Sequence, residues 1–140
     1  MAFTEDEVAY LKSQPLARLA TVDADGQPDV VPVGFEFDGT YFYVGGRAPE
    51  RTRKFLNVKA GQAKVALVVD DLVSTDPWTP RFLRVYGTAE LTERPGQFGS
   101  GQYLRITPEI SWSWNLGGRP YGDDAGQSGP RRTVHRQSAS

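Results

Sequence analysis

A chain of 140 residues with 16 basic and 17 acidic side chains and a net charge of −1 has room for one domain with a real core, and its near-neutral balance argues against a nucleic-acid partner. It contains no cysteine, which excludes disulfides, thiolate metal sites and cysteine nucleophiles together. The opening "MAFTEDEVAYLKSQ" is acidic and lacks a basic-then-apolar leader, and no run is long and apolar enough to span a bilayer, so a cytoplasmic protein without membrane association is expected.

In chain order, "TEDEVAYLKSQ" reads as a short helix, with Thr4 as cap, Glu7 at the capping-box position, and Val8, Tyr10 and Leu11 as its apolar side. Three strand-like runs follow: Leu16–Val22, Pro28–Asp38 and Thr40–Gly46. The Asp-Gly pairs in "DADGQ" and "FDGT" between them signal hairpins. A helix is then expected to begin just after Pro49 and Glu50, in "VGGRAPERTRKFLNVKAG". "KVALVVD", Lys64–Asp70, reads as a strand buried on both faces, followed by a loop, "DLVSTDPWTP". Arg81–Leu91 alternates as a strand with a bulge at Gly87. After the loop "ERPGQFGSGQ", Tyr103–Leu116 is a last strand whose Pro108 implies an edge or a bulge. From Gly117 onward periodicity is lost, which divides the chain into a barrel domain, 1–116, and a Gly/Ser/Arg-rich flexible tail, 117–140. Strands dominate, so the expected fold is mainly β, a small barrel with short helices beside it.

Few residues carry chemistry. The single histidine, His135, falls in the tail, where a general base would lack packing to fix it. Asp70, Asp71 and Asp76 match no metal-ligand spacing, so no metal is expected. Arg51, Arg53 and Lys54, however, crowd a helix start that already carries partial positive charge. With Gly45 and Gly46 allowing close backbone approach, Arg47 at the strand end and the Thr52 hydroxyl, they make an anion site best suited to phosphate. In "SWSWN", Trp112 and Trp114 share one strand face and Ser111 and Ser113 the other. The indoles suit a core or an interface, or could wall a flat aromatic ligand, as could Trp78.

The ordered series "LATV", "DG.P", "RTRKF.N" and "VYGTAEL" spans about two-thirds of the chain. It resembles the pyridoxamine 5′-phosphate oxidase-like superfamily of flavin- and deazaflavin-binding split β-barrels, nearest the actinobacterial branch that uses the deazaflavin coenzyme F-420. The resemblance implies a homodimer with two cofactor sites at the subunit interface. It puts the cofactor phosphate at Arg51, Thr52 and Lys54, with Gly46, Arg47 and Arg53 beside it. The ring lies along Val31, Pro32, Val33 and Gly34, covered by the partner subunit. The implied reaction is hydride transfer from the reduced deazaflavin to an electron-poor double bond of a small organic substrate. An FMN-dependent oxidoreductase of the same fold and a non-catalytic carrier of the deazaflavin are the alternatives. The catalytic proton donor is not identified; Tyr43, Tyr86 and a bound water all qualify. Arg81, Arg84 and the Arg131–Arg132 pair are candidates to meet the acidic tail of the deazaflavin.

Overall fold

The computed structural model describes residues 2–46, 51–121 and 129–135. Helix α1, Glu5–Ser13, starts as its sequence dictates. The Glu7 N–H donates to Thr4 Oγ1 at 3.1 Å and the Thr4 N–H donates to Glu7 Oε1 at 2.9 Å, so two otherwise orphaned donors are satisfied reciprocally. Tyr10 and Leu11 turn into the core.

Strand β1 (Leu16–Val22) pairs antiparallel with β2 (Pro28–Gly34) through the first Asp-Gly turn. There Asp23 accepts from the backbone of Asp25 and Gln27, and Gly26 takes φ 86°. The second turn joins β3 (Glu36–Phe37) to β4 (Phe42–Val44) in the same way, with Asp38 accepting from Thr40 and Tyr41 and Gly39 at φ 100°. The run expected as one strand from Pro28 to Asp38 is therefore two, separated at Phe35. This break matters for the architecture. The strand order is β2-β1-β5-β6-β7-β4-β3, so β2 and β3 occupy opposite ends of the sheet. Only one residue connects them, and the sheet must curl until its ends meet there. The result is a curled antiparallel half-barrel with α1 and α2 (Arg53–Lys59) packed against it.

The inner face carries Ala17, Leu19, Val33, Leu67, Val69, Leu83, Val85, Leu104 and Ile106, all buried. At about 25 cal/mol per Å² of apolar surface removed from water, this face supplies most of the driving force for folding. Strand β5 (Lys64–Thr75) is not buried on both faces as expected: Val65, Leu67 and Val69 are buried, but Ala66, Val68 and Asp70 on the outer face are half-buried. The expected loop after Asp70 is also corrected. Strands β5 and β6 (Trp78–Arg94) continue pairing to Thr75 and Trp78 around a tight turn at Asp76–Pro77, a cis peptide. Leu72 to Thr75 include two β-branched residues that suit a strand, and the ladder accepts them by shifting register between Leu72 and Ser74.

Strand β7 (Gly101–Trp114) pairs with β6 along its length. Tyr86 stands opposite Ile110 and Gly87 opposite Pro108, so Glu109 is an extra residue on β7. Pro108 lies at this bulge, between the segments of β7 that pair with β4 and with β8 (Arg131–Val134), where its missing N–H leaves no ladder bond unmade. Residues 131–134, expected within a flexible tail, thus form a strand. Arg131 Nη1 lies 3.2 Å from the buried Glu7 carboxylate, which also accepts from Ser113 Oγ at 2.6 Å.

Candidate functional site

Helix α2 starts at Arg53 with Thr52 as N-cap residue, and its first turn holds no acidic residue. The Thr52 side chain makes no capping bond. Arg51 precedes the helix and is exposed, as is Arg53, while Lys54 is half-buried. Among the described residues, none of these three cations is in an ion pair. Burial holds the Lys54 ammonium below the usual lysine range, and the carboxylate of Asp29 on β2 opposes that shift. The Lys54 ammonium is thus within electrostatic reach of Asp29, while the helix itself packs on β1 and β6. Asn57 anchors the helix by donating to Thr21 on β1 at 2.9 Å, while Phe55 and Val58 enter the core. Arg47, Pro49 and Glu50 lie outside the described residues; the helix expected to begin just after them starts at Arg53.

These parts fit a phosphate. Three cations at one helix start, in no ion pair among the described residues and one of them partly desolvated, are an arrangement that a bound dianion would stabilise. Gly45 has a different role from the close ligand approach expected of it: a Cβ there would overlap the ring of Tyr103, which is buried against it. Gly46 is open on that side, with nothing within 4 Å of an added Cβ.

Of the segment expected to carry a ring, Val33 is buried in the core, Val31 packs on the core's rim and Pro32 is exposed. Gly34, at the bend into β3, lies under the β6–β7 loop: an added Cβ would stand 3.2 Å from Phe98 Cζ and 3.3 Å from Gln97 Nε2. The sequence reads this loop, "ERPGQFGSGQ", only as a connection.

Trp78 sits on the β5–β6 hairpin, 52% exposed, in a cleft of about 500 Å³ shared with Arg18, Asp70 and Phe82, none of which belongs to β2 or α2. Trp112 and Trp114 stand on the outer face, the first under the Arg84 guanidinium at 4.3 Å and the second stacked on Phe82. Their serine neighbours face inward because the Glu109 bulge reverses the alternation of β7: Leu104, Ile106 and Pro108 point in before it, Ser111 and Ser113 after it. The row Ala20, Ala66, Tyr86 and Ile110 crosses the outer face, and its two alanines leave a cavity of about 520 Å³ rimmed by Lys64 and Glu109.

Several other titratable groups are structurally engaged. Arg81 forms a two-pronged bridge to Asp71, at 3.0 and 2.8 Å, and Tyr10 donates to the same carboxylate at 2.7 Å. Arg81 and Arg131 are thus committed to Asp71 and Glu7 rather than free for a ligand tail. Tyr43 lies beneath Arg94 at 3.9 Å, its phenol pushed up by burial and by the charge of Asp38. Tyr86 is half exposed on the 520 Å³ cavity. His135, expected to be a solvated tail residue, is half-buried, its Nε2 2.7 Å from Ser111 Oγ and its ring on Phe3.

The curled antiparallel half-barrel with two short helices packed on it is shared with solved proteins. Residues 3–132 match the pyridoxamine 5′-phosphate oxidase family, and the chain belongs to that family. It is 40% identical over 125 residues to the 5a,11a-dehydrotetracycline/5a,11a-dehydrooxytetracycline reductase of Streptomyces rimosus, covering 84% of this chain and 87% of that protein. Among solved structures, it is similar to a candidate pyridoxamine 5′-phosphate oxidase of Lactobacillus delbrueckii, with a TM-score of 0.60, 28% identity, and coverage of 79% and 93% of the two chains. It is also similar to a protein described as an F-420 reductase, with a TM-score of 0.56, 25% identity, and coverage of 70% and 90%. The chain is an oxidoreductase of the split-barrel fold. No helix among the described residues is long and apolar enough to cross a membrane.

Proposed function

We propose that this protein is a reductase that uses the deazaflavin coenzyme F-420 to saturate an electron-poor double bond in a small organic substrate. The observation that carries this reading is the 40% identity to a reductase whose name describes reduction of a dehydro compound. The similarity to an F-420 reductase supports the choice of cofactor. When bound, the reduced deazaflavin supplies a hydride, and the protein's work is to bind, orient and exclude water.

Arg51 and Lys54 hold the cofactor phosphate through charge-assisted bonds, with Thr52 beside them and Gly46, Arg47 and Arg53 at the margin of the grip. The segment Val31–Gly34 carries the ring. A second copy of the chain covers it, making a homodimer with shared sites. The half-covered outer sheet face, with Val68, Tyr86, Ile110 and Trp112, supports such a pairing.

Titrating the pure protein with the deazaflavin and with FMN tests the assignment. The deazaflavin is expected to bind at least tenfold tighter, about 1.4 kcal/mol. The loaded, reduced protein is expected to turn over a conjugated enone or quinone. Equal or tighter FMN binding replaces this reading with a flavin enzyme, and tight deazaflavin binding without turnover replaces it with a carrier.

A further inference from the structure

The loop between β6 and β7 is short, glycine-rich and held at several points. The Gln97 N–H donates to Glu36 Oε2 at 3.0 Å, and Arg94 Nη1 holds the same oxygen at 3.3 Å. The Phe98 N–H donates to the Tyr103 hydroxyl at 3.0 Å, and that hydroxyl donates to the Gly99 carbonyl at 2.7 Å. Gly96 and Gly99 close the turn by exchanging backbone bonds. Tyr103 itself is fixed, 2% exposed, in a slot that exists because Gly45 and Gly96 lack side chains.

All of this positions one side chain that the core does not use. Phe98 is 50% exposed, yet its ring rests against bare Gly34 at the bend of β2 into β3. A surface phenylalanine gains little by being held this firmly, since half of its apolar area still meets water. The arrangement makes sense if a second flat apolar surface completes its burial.

We propose that Phe98 is a preset aromatic wall for a flat, conjugated ring lying along Val31–Gly34, with Gln97 as its polar neighbour. This inference rests on the ring placement given under the proposed function. The role is positioning: the ring's orientation, and with it the face exposed to substrate, is set by a side chain whose backbone is held by the loop and whose ring rests against Gly34. Less ordering is then left to be done at binding.

The test compares wild type, Phe98→Ala and Phe98→Tyr by thermal melting and by titration with FMN and with the deazaflavin, each followed by ring absorbance and fluorescence. Melting of the cofactor-free alanine variant is expected to stay within a degree or two of wild type, because half of the side chain is already exposed. Affinity for whichever cofactor wild type binds is expected to fall roughly three- to tenfold, the range of one aromatic contact. The bound-ring spectrum is expected to move toward that of free cofactor, and the tyrosine variant is expected to restore both. Inorganic phosphate is expected to raise the melting temperature of all three proteins equally, since the phosphate grip lies elsewhere. If wild type binds a cofactor and Phe98→Ala binds it equally well with an unchanged spectrum, the wall is overturned and the proposed function stands. If wild type binds neither cofactor, both fall together.

Discussion

Under the proposed phosphate grip, Arg51 and Lys54 cost the free protein a little and are used in the complex. Without a ligand they repel the positive pole of α2 by a few tenths of a kcal/mol each, and Lys54 also loses hydration. Arg51→Ala is therefore expected to leave the free protein as stable or slightly more so. It is also expected to weaken cofactor binding by about 1.5–3 kcal/mol, roughly 10- to 150-fold. Phosphate or sulfate is expected to raise the melting temperature of wild type more than that of the variant. Wild-type affinity in both Arg51→Ala and Lys54→Ala would place the grip elsewhere. The Asp71 cluster behaves in the opposite way, because its charges are already paired. The two-pronged bond from Arg81 is the largest of the effects that hold the Asp71 carboxyl below the usual aspartate range, and the Tyr10 bond adds to it. A depressed carboxyl stabilises the fold above its unfolded pKa, near 3.9, and loses that contribution as pH falls through its lower folded value. Asp71→Asn is expected to cost about 1–3 kcal/mol in urea denaturation at pH 7, with the gap to wild type narrowing as pH falls below the unfolded value and through the lower folded one. A gap that stays constant with pH would assign the effect to packing rather than charge.

At the scale of the element, the bulge at Glu109 decides what β7 presents to each side. The sequence announced a disturbance there through Gly87 and Pro108. It did not say which strand held the extra residue, because that depends on the register between two strands rather than on either alone. Gly87 is required because the facing backbone comes so close that a Cβ would overlap the Thr107 carbonyl oxygen. Gly87→Ala is expected to cost roughly 1–3 kcal/mol by overpacking against backbone that cannot turn aside. Gly117→Ala, with nothing within 4 Å of the new atom, is expected to stay within about 0.5 kcal/mol of wild type. Chemical denaturation of the pair separates a steric requirement at the bulge from a general dislike of lost glycine. The same dependence on partners explains the β5–β6 hairpin. "DLVSTDPWTP" reads as loop by its Asp, Ser and Pro, yet the ladder started by Val65 and Leu67 carries it on to Thr75.

For the whole molecule, the outer sheet face leaves apolar side chains open to solvent. Tyr86 is 47% exposed, and Val68, Ile110 and Trp112 are only half-buried on that side. Obligate dimers commonly bury about 2,000 Å² or more with an apolar centre. Light scattering at micromolar concentration is expected to give twice the 15.5 kDa chain mass. A monomer that keeps full cofactor affinity would contradict a shared site.

What the sequence determined by itself was local: the Thr4–Glu7 capping box, both Asp-Gly turns, the period of β1 and β6, and the concentration of cations around Arg51. Each follows from neighbours a few residues apart, where backbone geometry and side-chain reach are fixed by chemistry. The ordered run of such motifs also carried the family resemblance, which the match over residues 3–132 bears out. Tertiary structure alone decided the rest. It turned residues 131–134 into β8 through Glu7, which lies 124 residues from Arg131, and it set Tyr103 between Gly45 and Gly96. It brought Phe98 onto Gly34 by curling the sheet at Phe35. Those contacts join residues distant along the chain, so no local period or propensity encodes them, and they exist only once the core has fixed the register of the strands.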